Sequence, residues 1–342
     1  MKTLKLTAWN IKYLDRLIRP DVSENLIRRR EGIKEEIRAI DADILCIVEG
    51  PNSEAEIDHF TKEVLDNEYV AIKSDGGDYG LRGTQWIWFL VKKKWQQYCS
   101  LLPVKTWFEF TQGPNWQVHY WGEYEPQRHR HYRTPQVLIM EIGDQRMEFI
   151  GVHFKSKYVN RGRSDWRAGG ERKKEFIANA LKARIKLATE AIDVRRYIDK
   201  KFQQLEKPAI FVLGDMNDGP GKEYFEEQML FFDLVSNIQG DIFSASKFLN
   251  HALFDYPDEL RWSAEFDDFI TEENNKKVLI DHILFTQPLV NWNLDVTVEP
   301  NSGLIEHEVH DSINALLKYN QKTSDHKPVS LRISMRENGL AA

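Results

Sequence analysis

Side chains that can bind a metal ion or transfer a proton lie beside the apolar segments of this sequence. They are carboxylates, amides and imidazoles: Asn10, Glu49, His153, Asp215, Asn217, Asp281, Asp325 and His326. Taken singly, a polar residue at a strand end is usually a turn residue or a cap, and a lone histidine is usually structural. Asp281 is harder to explain in that way, because it lies within the apolar run 279–284, where an unpaired charge is costly.

Taken together, these residues predict one site. Strand ends in a β-sandwich gather along one edge, so residues that are distant in sequence can converge there. The set is rich in oxygen ligands and contains no cysteine, which suits a hard divalent cation such as Mg²⁺. The remaining histidines and carboxylates suit proton transfer and the stabilisation of a charged phosphoryl group.

The elements that must position these residues alternate between strand-like and helix-like patterns along the whole chain. Helical spacing of apolar residues predicts helices over 25–40, 53–65 and 171–202, with Ser53 as an N-cap. Alternation or short apolar runs predict strands over 4–9, 44–48, 86–91, 137–142, 147–152, 209–213, 278–285, 290–298 and 328–333. Strands with interspersed helices favour packed sheets covered by helices. Without a repeat or linker, we expect one domain over residues 1–336 and a short C-terminal tail over 337–342.

Composition excludes several classes of protein. The chain has 342 residues, of which 42% are hydrophobic and 29% charged, which is typical of a globular protein. No apolar run reaches the roughly 18 residues that a membrane helix needs, and residues 1–9 do not resemble a secretory signal. Cys46 and Cys99 are the only cysteines, which excludes a disulfide scaffold and a cysteine zinc site. These features predict a cytoplasmic protein without stable membrane association.

Charge is distributed unevenly along the chain. The formal net charge is −6, which counts mildly against a dedicated DNA-binding module. Residues 155–174 nevertheless carry +6, and residues 254–275 carry −7. A basic segment on an acidic protein can attract a polyanion locally, whereas the simpler alternative is a solvated loop that leads into a helix.

Six motifs in a fixed order carry a family resemblance. They are TAWNIK (7–12), DILCIVEG (43–50), GVHFKSK (151–157), LGDMND (213–218), LIDHILFT (279–286) and SDHKPV (324–329). This ordered set resembles the endonuclease/exonuclease/phosphatase superfamily, which includes pancreatic-type deoxyribonuclease, sphingomyelinases and inositol polyphosphate 5-phosphatases. The resemblance spans nearly the whole chain, and the Gly-Asp-x-Asn and Ser-Asp-His-x-Pro motifs are its most specific parts.

The resemblance implies an α+β fold and a hydrolytic activity. The expected architecture is a four-layer α/β/β/α sandwich of deoxyribonuclease I type, in which two packed, mainly antiparallel mixed sheets are flanked by helices. The expected chemistry is divalent-metal-dependent hydrolysis of a phosphate ester by direct water attack, with Mg²⁺ as the ion and Mn²⁺ or Ca²⁺ as substitutes.

The resemblance also assigns roles to individual residues. Glu49 would be the main metal ligand, with Asn10 beside it and Asp325 near the metal. Asp215 and Asn217 would position the attacking water and the phosphate. His326, oriented by Asp281, would contact the phosphate or act as a base. A His–Asp pair suits either role, because the carboxylate raises the basicity of the imidazole and selects its tautomer.

Two further assignments are less complete. His153 matches a second catalytic histidine of the deoxyribonuclease and sphingomyelinase branches, which abasic-site endonucleases lack. Its usual acidic partner is not evident, since Leu-Arg-Gly-Thr-Gln (81–85) occupies the corresponding region. Arg133 resembles an arginine that many members direct at the phosphate.

Two segments outside the motifs are candidates for substrate selection. Residues 103–133 are rich in aromatic and basic side chains, which can stack bases and bind phosphates but are more often packing residues. The basic segment 155–174 follows His153 directly, and its Arg161, Arg163 and Arg167 predict an electrostatic funnel for a polyanion.

The substrate therefore stays open among three hypotheses. The first is a nuclease that acts on DNA or RNA as a monomer, without an evident protein partner. The second is a phosphatase or phospholipase-type diesterase that acts on a phosphoinositide, sphingomyelin or another small phosphate ester. The third belongs to a different class, an inactive binding module on the same fold, although every motif position is intact.

Overall fold

The computed structural model describes residues 1–18, 23–74, 81–220, 223–229 and 235–336. The expected tail, 337–342, lies outside these residues. The α-helices in the described part are α1 Glu24–Ile40, α2 Glu54–His59, α3 Val104–Phe110, α4 Gly162–Ala168, α5 Gly170–Gln204, α6 Tyr224–Met229, α7 Val235–Gln239 and α8 His307–Asn314. No helix in these ranges is long and apolar enough to cross a bilayer.

The strands form two large sheets and two short hairpins. Their bounds are β1 Lys2–Asn10, β2 Ile44–Gly50, β3 Tyr69–Ala71, β4 Trp86–Lys92, β5 Cys99–Leu101, β6 Trp116–Val118, β7 Gln127–His129, β8 Gln136–Ile142, β9 Gln145–His153, β10 Ala209–Asp215, β11 Leu249–His251, β12 Ala264–Asp268, β13 Glu273–Val278, β14 Asp281–Thr286, β15 Val296–Val298, β16 Leu304–Ile305 and β17 Val329–Met335.

Both large sheets are mixed but mainly antiparallel. The first has the order β15-β17-β1-β2-β4-β3, with β16 paired to β17, and the second has the order β11-β14-β10-β9-β8-β5. Only β1–β2 and β9–β10 pair in parallel among the described strands. The hairpins are β6–β7 and β12–β13.

Three apolar cores separate four layers. The central core packs the two sheets face to face and includes Leu4, Leu6 and Ala8 from β1. A second core packs α1 and α2 on the outer face of the first sheet, where Trp9 points. A third packs α5 on the outer face of the second sheet. The α/β/β/α sandwich predicted from the sequence is therefore confirmed.

Local sequence explains the helices and strands that agree with prediction. β1 places Leu4, Leu6 and Ala8 on the face that packs in the central core, whereas Trp9 on the opposite face packs against the helices. The Oγ of Ser53 accepts a hydrogen bond from the backbone N–H of Glu56 at 3.2 Å, which confirms the predicted N-cap of α2. The helix predicted over 171–202 is α5.

Two strand predictions are wrong in part. The predicted strand 290–298 is reduced to β15, because Asn291 and Trp292 adopt positive φ angles of 56° and 57° and turn the chain. The predicted strand 278–285 is divided between β13 and β14, so Asp281 is the first residue of a strand rather than an interior one.

Candidate active site

Three of the candidate residues form one row across the second sheet. Asp215, the last residue of β10, is in register with His153 at the end of β9 and with Asp281 at the start of β14. All three are at most 3% exposed. Strand register thus brings together residues that are separated by 60 positions or more in the sequence.

His326 approaches this row from the first sheet. Its Nδ1 lies 2.8 Å from Oδ2 of Asp281. The backbone carbonyl of His326 accepts a hydrogen bond from the indole of Trp9 at 3.0 Å. Although burial opposes protonation, the charges and hydrogen bond of the nearby carboxylates, Asp281 above all, raise the pKa of His326 to about 10. The His326–Asp281 pairing predicted from the motifs is present in the structure.

Asp215 connects the row to β1 and to the following loop. Its Oδ2 accepts a hydrogen bond from Nδ2 of Asn10 at 3.0 Å, and its Oδ1 accepts one from the backbone N–H of Asn217 at 2.8 Å. Burial and the neighbouring Asp281 raise the pKa of Asp215 to about 7, against the opposing effect of the charge on His326. A carboxylate with this pKa can exchange a proton near neutral pH.

Asn217 is held in a strained backbone conformation. Its φ is +53°, a left-handed value that asparagine tolerates better than most residues. Its Nδ2 donates to the carbonyl of Phe154 at 3.1 Å. The side chain of Asn217 is therefore bound to the residue that follows His153, whose strand pairs with the strand of Asp215.

Glu49 lies at a β-bulge of the first sheet. The register between β2 and β4 shifts between Ile47 and Gly50, and Glu49 has a φ of +59°. Its Oε2 accepts hydrogen bonds from the backbone N–H of Tyr13 at 3.0 Å and from Nε2 of Gln85 at 3.1 Å. A bulge redirects one side chain relative to its strand neighbours.

Gln85 links two predicted site residues and was missed by sequence reasoning. Its Oε1 accepts hydrogen bonds from Nε and the terminal nitrogen of Arg133, at 3.0 and 2.6 Å, while its Nε2 donates to Glu49. Burial lowers the pKa of Arg133, and the charges of Glu49 and Asp215 oppose that shift. Gln85 lies in the segment 81–85, where the sequence analysis looked for an acidic partner of His153. The sequence shows that a glutamine is present there, but it does not show that this glutamine links Arg133 to Glu49.

Asp325 is neutralised by a residue of the first motif. Its Oδ2 lies 2.6 Å from Nζ of Lys12. Burial opposes ionisation of Asp325, but the charge of His326 and the hydrogen bond from Lys12 lower its pKa overall. Lys12 was part of the quoted TAWNIK motif, yet only the structure shows that it contacts Asp325.

His153 lies beside Asp215 without an acid of its own. Its Nε2 is 3.4 Å from Oδ2 of Asp215, and its Nδ1 is buried without a hydrogen-bond partner among the described residues. Burial, with smaller effects from Arg133 and His326, lowers the pKa of His153 well below its usual value. The imidazole is thus neutral at physiological pH in this environment.

A second pair of histidines supports the loop after β10. His251 Nδ1 accepts from the backbone N–H of Leu253, so its Nε2 carries the proton and donates to Nδ1 of His282 at 2.8 Å. His282 Nε2 then donates to the carbonyl of Asp218 at 2.7 Å. Burial lowers the pKa of both histidines, which keeps this relay neutral. Sequence reasoning did not identify it.

Two sets of groups offer ligand atoms for a metal ion. Ligand atoms of Asp215, Asp281 and His326 lie within 4.8 Å of one another. The hydrogen bond between Asp281 and His326 uses Oδ2 and Nδ1, and it leaves Oδ1 of Asp281 buried without a partner among the described residues. His326, whose pKa is raised to about 10, would have to lose its proton before it could bind a metal ion. We therefore consider this group a candidate for proton transfer rather than a metal centre.

The set expected from the motifs fits a hard cation better. Oδ1 of Asn10 is buried without a partner among the described residues. Asn10 pairs with Val48 across β1 and β2, which places it beside the strand residue that precedes Glu49. Together with Asp325, these residues supply only amide and carboxylate oxygens, as Mg²⁺ requires. The donor set present fits such an ion.

Comparison with known proteins identifies the fold. No family model and no curated protein sequence matches the chain. Truncated TDP2 from Caenorhabditis elegans superposes with a TM-score of 0.52 and 15% identity, covering 97% of each chain. TDP2 from D. rerio, complexed with a single-strand DNA product, superposes with a TM-score of 0.51 and 13% identity, covering 98% of this chain and 100% of the other.

The chain has the endonuclease/exonuclease/phosphatase fold. The fold family suggested by the six motifs is thereby confirmed at the level of architecture. Within the endonuclease/exonuclease/phosphatase fold, the strand ends that carry Asp215, Asp281 and Asn10 lie at the same edge of the sandwich, as the hydrogen bonds between the two sheets show.

Proposed function

We propose that this chain is a divalent-metal-dependent hydrolase of phosphodiesters that acts as a nuclease on DNA or RNA. The observation that carries the proposal is the buried cluster of Asp215, Asp281 and His326. It combines a carboxylate of near-neutral pKa with an imidazolium at one edge of the sandwich. These two groups match the needs of water attack on a phosphorus atom.

The residues of the chain divide the work between proton transfer and phosphate binding. Asp215 accepts the proton of the attacking water, while Asn217 holds the loop that positions it. His326, kept protonated by Asp281, donates a hydrogen bond to a phosphate oxygen, and Arg133 adds a second positive charge. His153 contributes a neutral imidazole beside Asp215.

Asn10, Glu49 and Asp325 would hold the metal ion, for which Mg²⁺ is proposed and Mn²⁺ or Ca²⁺ are possible substitutes. A bound divalent ion supplies charge neutralisation to the phosphate. We also propose that residues 1–336 form one catalytic domain and that the protein is a cytoplasmic monomer. The single-strand DNA product in a structure of the same fold supports the choice of a nucleic acid.

Product release from supercoiled plasmid and from a single-stranded oligonucleotide tests this function. We expect cleavage with Mg²⁺, none with EDTA, and a loss of roughly 10²–10⁴-fold in the Asp215→Asn variant, because that change removes the proton acceptor without changing the shape. Circular dichroism of the variant should match that of the unaltered protein.

Failure to cleave either nucleic acid, with the protein folded, would overturn the nuclease assignment. Metal-dependent hydrolysis of phosphoinositides or sphingomyelin would then identify the second hypothesis. No hydrolysis of any phosphate ester would instead favour an inactive binding module.

A further inference from the structure

A cavity of about 1000 Å³ opens directly beside the candidate active site. Asn217 and Ile280, the neighbours of Met216 and Asp281, line its inner end. Helix α4 forms one wall and the hairpin β12–β13 contributes another. The carbonyl of Ile280 accepts a hydrogen bond from the backbone of Met216 at 2.8 Å, so the cavity is continuous with the loop that carries Asp215.

Aromatic rings cover the interior of this cavity. Phe176 lies with its ring centroid 5.8 Å from Phe269 and 6.0 Å from Phe225. Phe266, at the end nearest the catalytic residues, has its ring centroid 6.1 Å from that of His326 and is 42% exposed. The cavity therefore offers ring faces and edges from the catalytic imidazole outward, which suits a planar apolar group.

Two cations that line the cavity, Lys157 and Arg184, are already paired with carboxylates. Lys157 contacts Asp218 at 2.5 Å and Glu223 at 2.9 Å. Arg184 contacts Glu223 at 2.6 Å and Glu226 at 2.8 Å. Because both of these cations have carboxylate partners, the interior of the cavity offers no strong attraction to an anion, and a neutral group is the better occupant.

The rim of the cavity carries two arginines without a carboxylate partner among the described residues. Arg161 and Arg167 line it, and neither forms an ion pair with a carboxylate among the described residues. Arg163 contacts Asp267 at 3.5 Å, but both side chains are about half exposed, so that pair is weak. Residues of the +6 and −7 segments thus meet at this cavity, and Arg161 and Arg167 place positive charge at its rim.

We propose that the cavity binds an unpaired nucleobase next to the scissile phosphate, while Arg161 and Arg167 contact the neighbouring phosphates of the same strand. A base is planar and uncharged, and a nucleic acid carries a negative charge at every phosphate, which matches a neutral aromatic interior beside a cationic rim. Sphingomyelin would present a single headgroup phosphate and leave one of the two rim arginines without a partner.

The proposal has a consequence for strand selection. A base within a duplex is stacked and paired, and moving it into a cavity costs free energy that an unpaired base does not need. The cavity therefore selects single-stranded substrates. This inference rests on the proposed function only in taking the substrate to be a nucleic acid.

Binding of a short single-stranded DNA tests the cavity separately from catalysis. The probe contains 2-aminopurine at one position, and a second probe has an abasic nucleotide there. Both are titrated in Mg²⁺ into full-length protein that carries Asp215→Asn to prevent turnover. We expect the base-containing probe to bind about tenfold more tightly than the abasic one, with 2-aminopurine fluorescence quenched by ring stacking.

Two substitutions locate the effect. Phe266→Ala should weaken binding of the base-containing probe about tenfold and leave abasic binding unchanged, whereas Phe266→Trp should preserve both. Phe243→Ala is the matched control, because Phe243 is 94% exposed and lies outside the cavity. Arg167→Ala should weaken both probes several-fold and reduce the salt dependence of binding, unlike Arg196→Ala on the exposed side of α5.

Equal binding of the two probes, or equal effects of Phe266→Ala and Phe243→Ala, would overturn the proposal. Binding of sphingomyelin vesicles that Phe266→Ala abolishes, without any preference for a base, would overturn it in favour of a lipid chain. The proposed function fails independently: base-dependent binding without metal-dependent cleavage refutes the nuclease and leaves the cavity assigned. Metal-dependent cleavage without discrimination between the two probes supports the nuclease and refutes the cavity assignment.

Discussion

Two adjoining regions of this molecule differ in how their charges are held. The floor of the candidate active site, composed of Asn10, Asp215, Asp281 and His326, is at most 7% exposed and is fixed by the side-chain hydrogen bonds Asn10–Asp215 and His326–Asp281. The cavity wall, composed of α4 and the hairpin β12–β13, is linked by an ion pair whose members are half exposed. Charged side chains in the floor are therefore excluded from water, whereas those of the wall are in contact with it.

The difference explains what each region can do. In the floor, exclusion of water strengthens electrostatic effects and moves the pKa of Asp215 upwards to about 7 and that of His326 upwards to about 10. In the wall, solvent screens the charges, so their effect on bound groups is small and depends on salt. The reaction chemistry that we propose uses the buried strand ends, and the substrate choice that we propose uses the exposed segments around them.

The largest expected effect comes from breaking the floor pair with Asp281→Asn. The variant retains the shape of the side chain but loses the charge that keeps His326 protonated, so we expect activity to fall about 10³-fold. NMR titration should show the pKa of His326 moving downwards. Asp255→Asn, at an exposed position, is the matched control. An unchanged titration of His326 would refute the proposed coupling.

Packing beneath the floor should matter more for stability than packing in the wall. Ile283 follows Asp281 in β14 and is fully buried in the central core, so Ile283→Ala should lower the free energy of unfolding by about 2–5 kcal/mol. Phe266→Ala, in the exposed wall, should change it by less than about 0.5 kcal/mol. Urea denaturation measures both, and equal losses would contradict the comparison.

Acid sensitivity should reside in the buried relay behind the floor. The folded pKa of His251 is lowered by burial, so its contribution to stability is fully present above the unfolded value of about 6.5 and is lost as the pH falls below it. Between about pH 7 and 5.5 the unaltered protein should lose about 1 kcal/mol more than His251→Gln. Unfolding is measured with EDTA in both samples, and parallel pH curves would count against this interpretation.

The smallest effect is expected from the wall ion pair. A double-mutant cycle with Arg163→Ala and Asp267→Ala should give a coupling of about 0.2–1 kcal/mol that disappears in high salt. The cycle on Asp281 and His326 serves as the internal reference. A wall coupling as large as the floor coupling, and independent of salt, would remove the distinction between the two regions.

Much of the site was predictable because its residues lie in motifs with a characteristic order. The structure brings Asn10, Asp215, Asn217, Asp281 and His326 together by direct contacts, and their catalytic roles remain predictions. The packing alternative for the aromatic segment 103–133 holds for Trp107, which stacks on Tyr197 at 4.6 Å, whereas Tyr124 is exposed.

Other features were not predictable because they depend on contacts between distant segments. The link from Arg133 through Gln85 to Glu49 joins β2 to the segments that precede β4 and β8, and no local pattern marks a glutamine for that position. The histidine relay from His251 to Asp218 depends on the register of an edge strand. Strand 290–298 was overestimated because positive φ angles at Asn291 and Trp292 are not visible in an apolar pattern.

The sequence by itself determined most of the long strands and helices, the absence of a cysteine site and the identity of the oxygen and imidazole groups. These follow from periodicity and residue type, which are local properties. Only the tertiary structure decided that the +6 and −7 segments meet around one cavity, that Lys12 neutralises Asp325 and that His153 has no acid of its own in the described chain. Burial and through-space charge depend on which distant segments pack together, and these set the pKa values of the site.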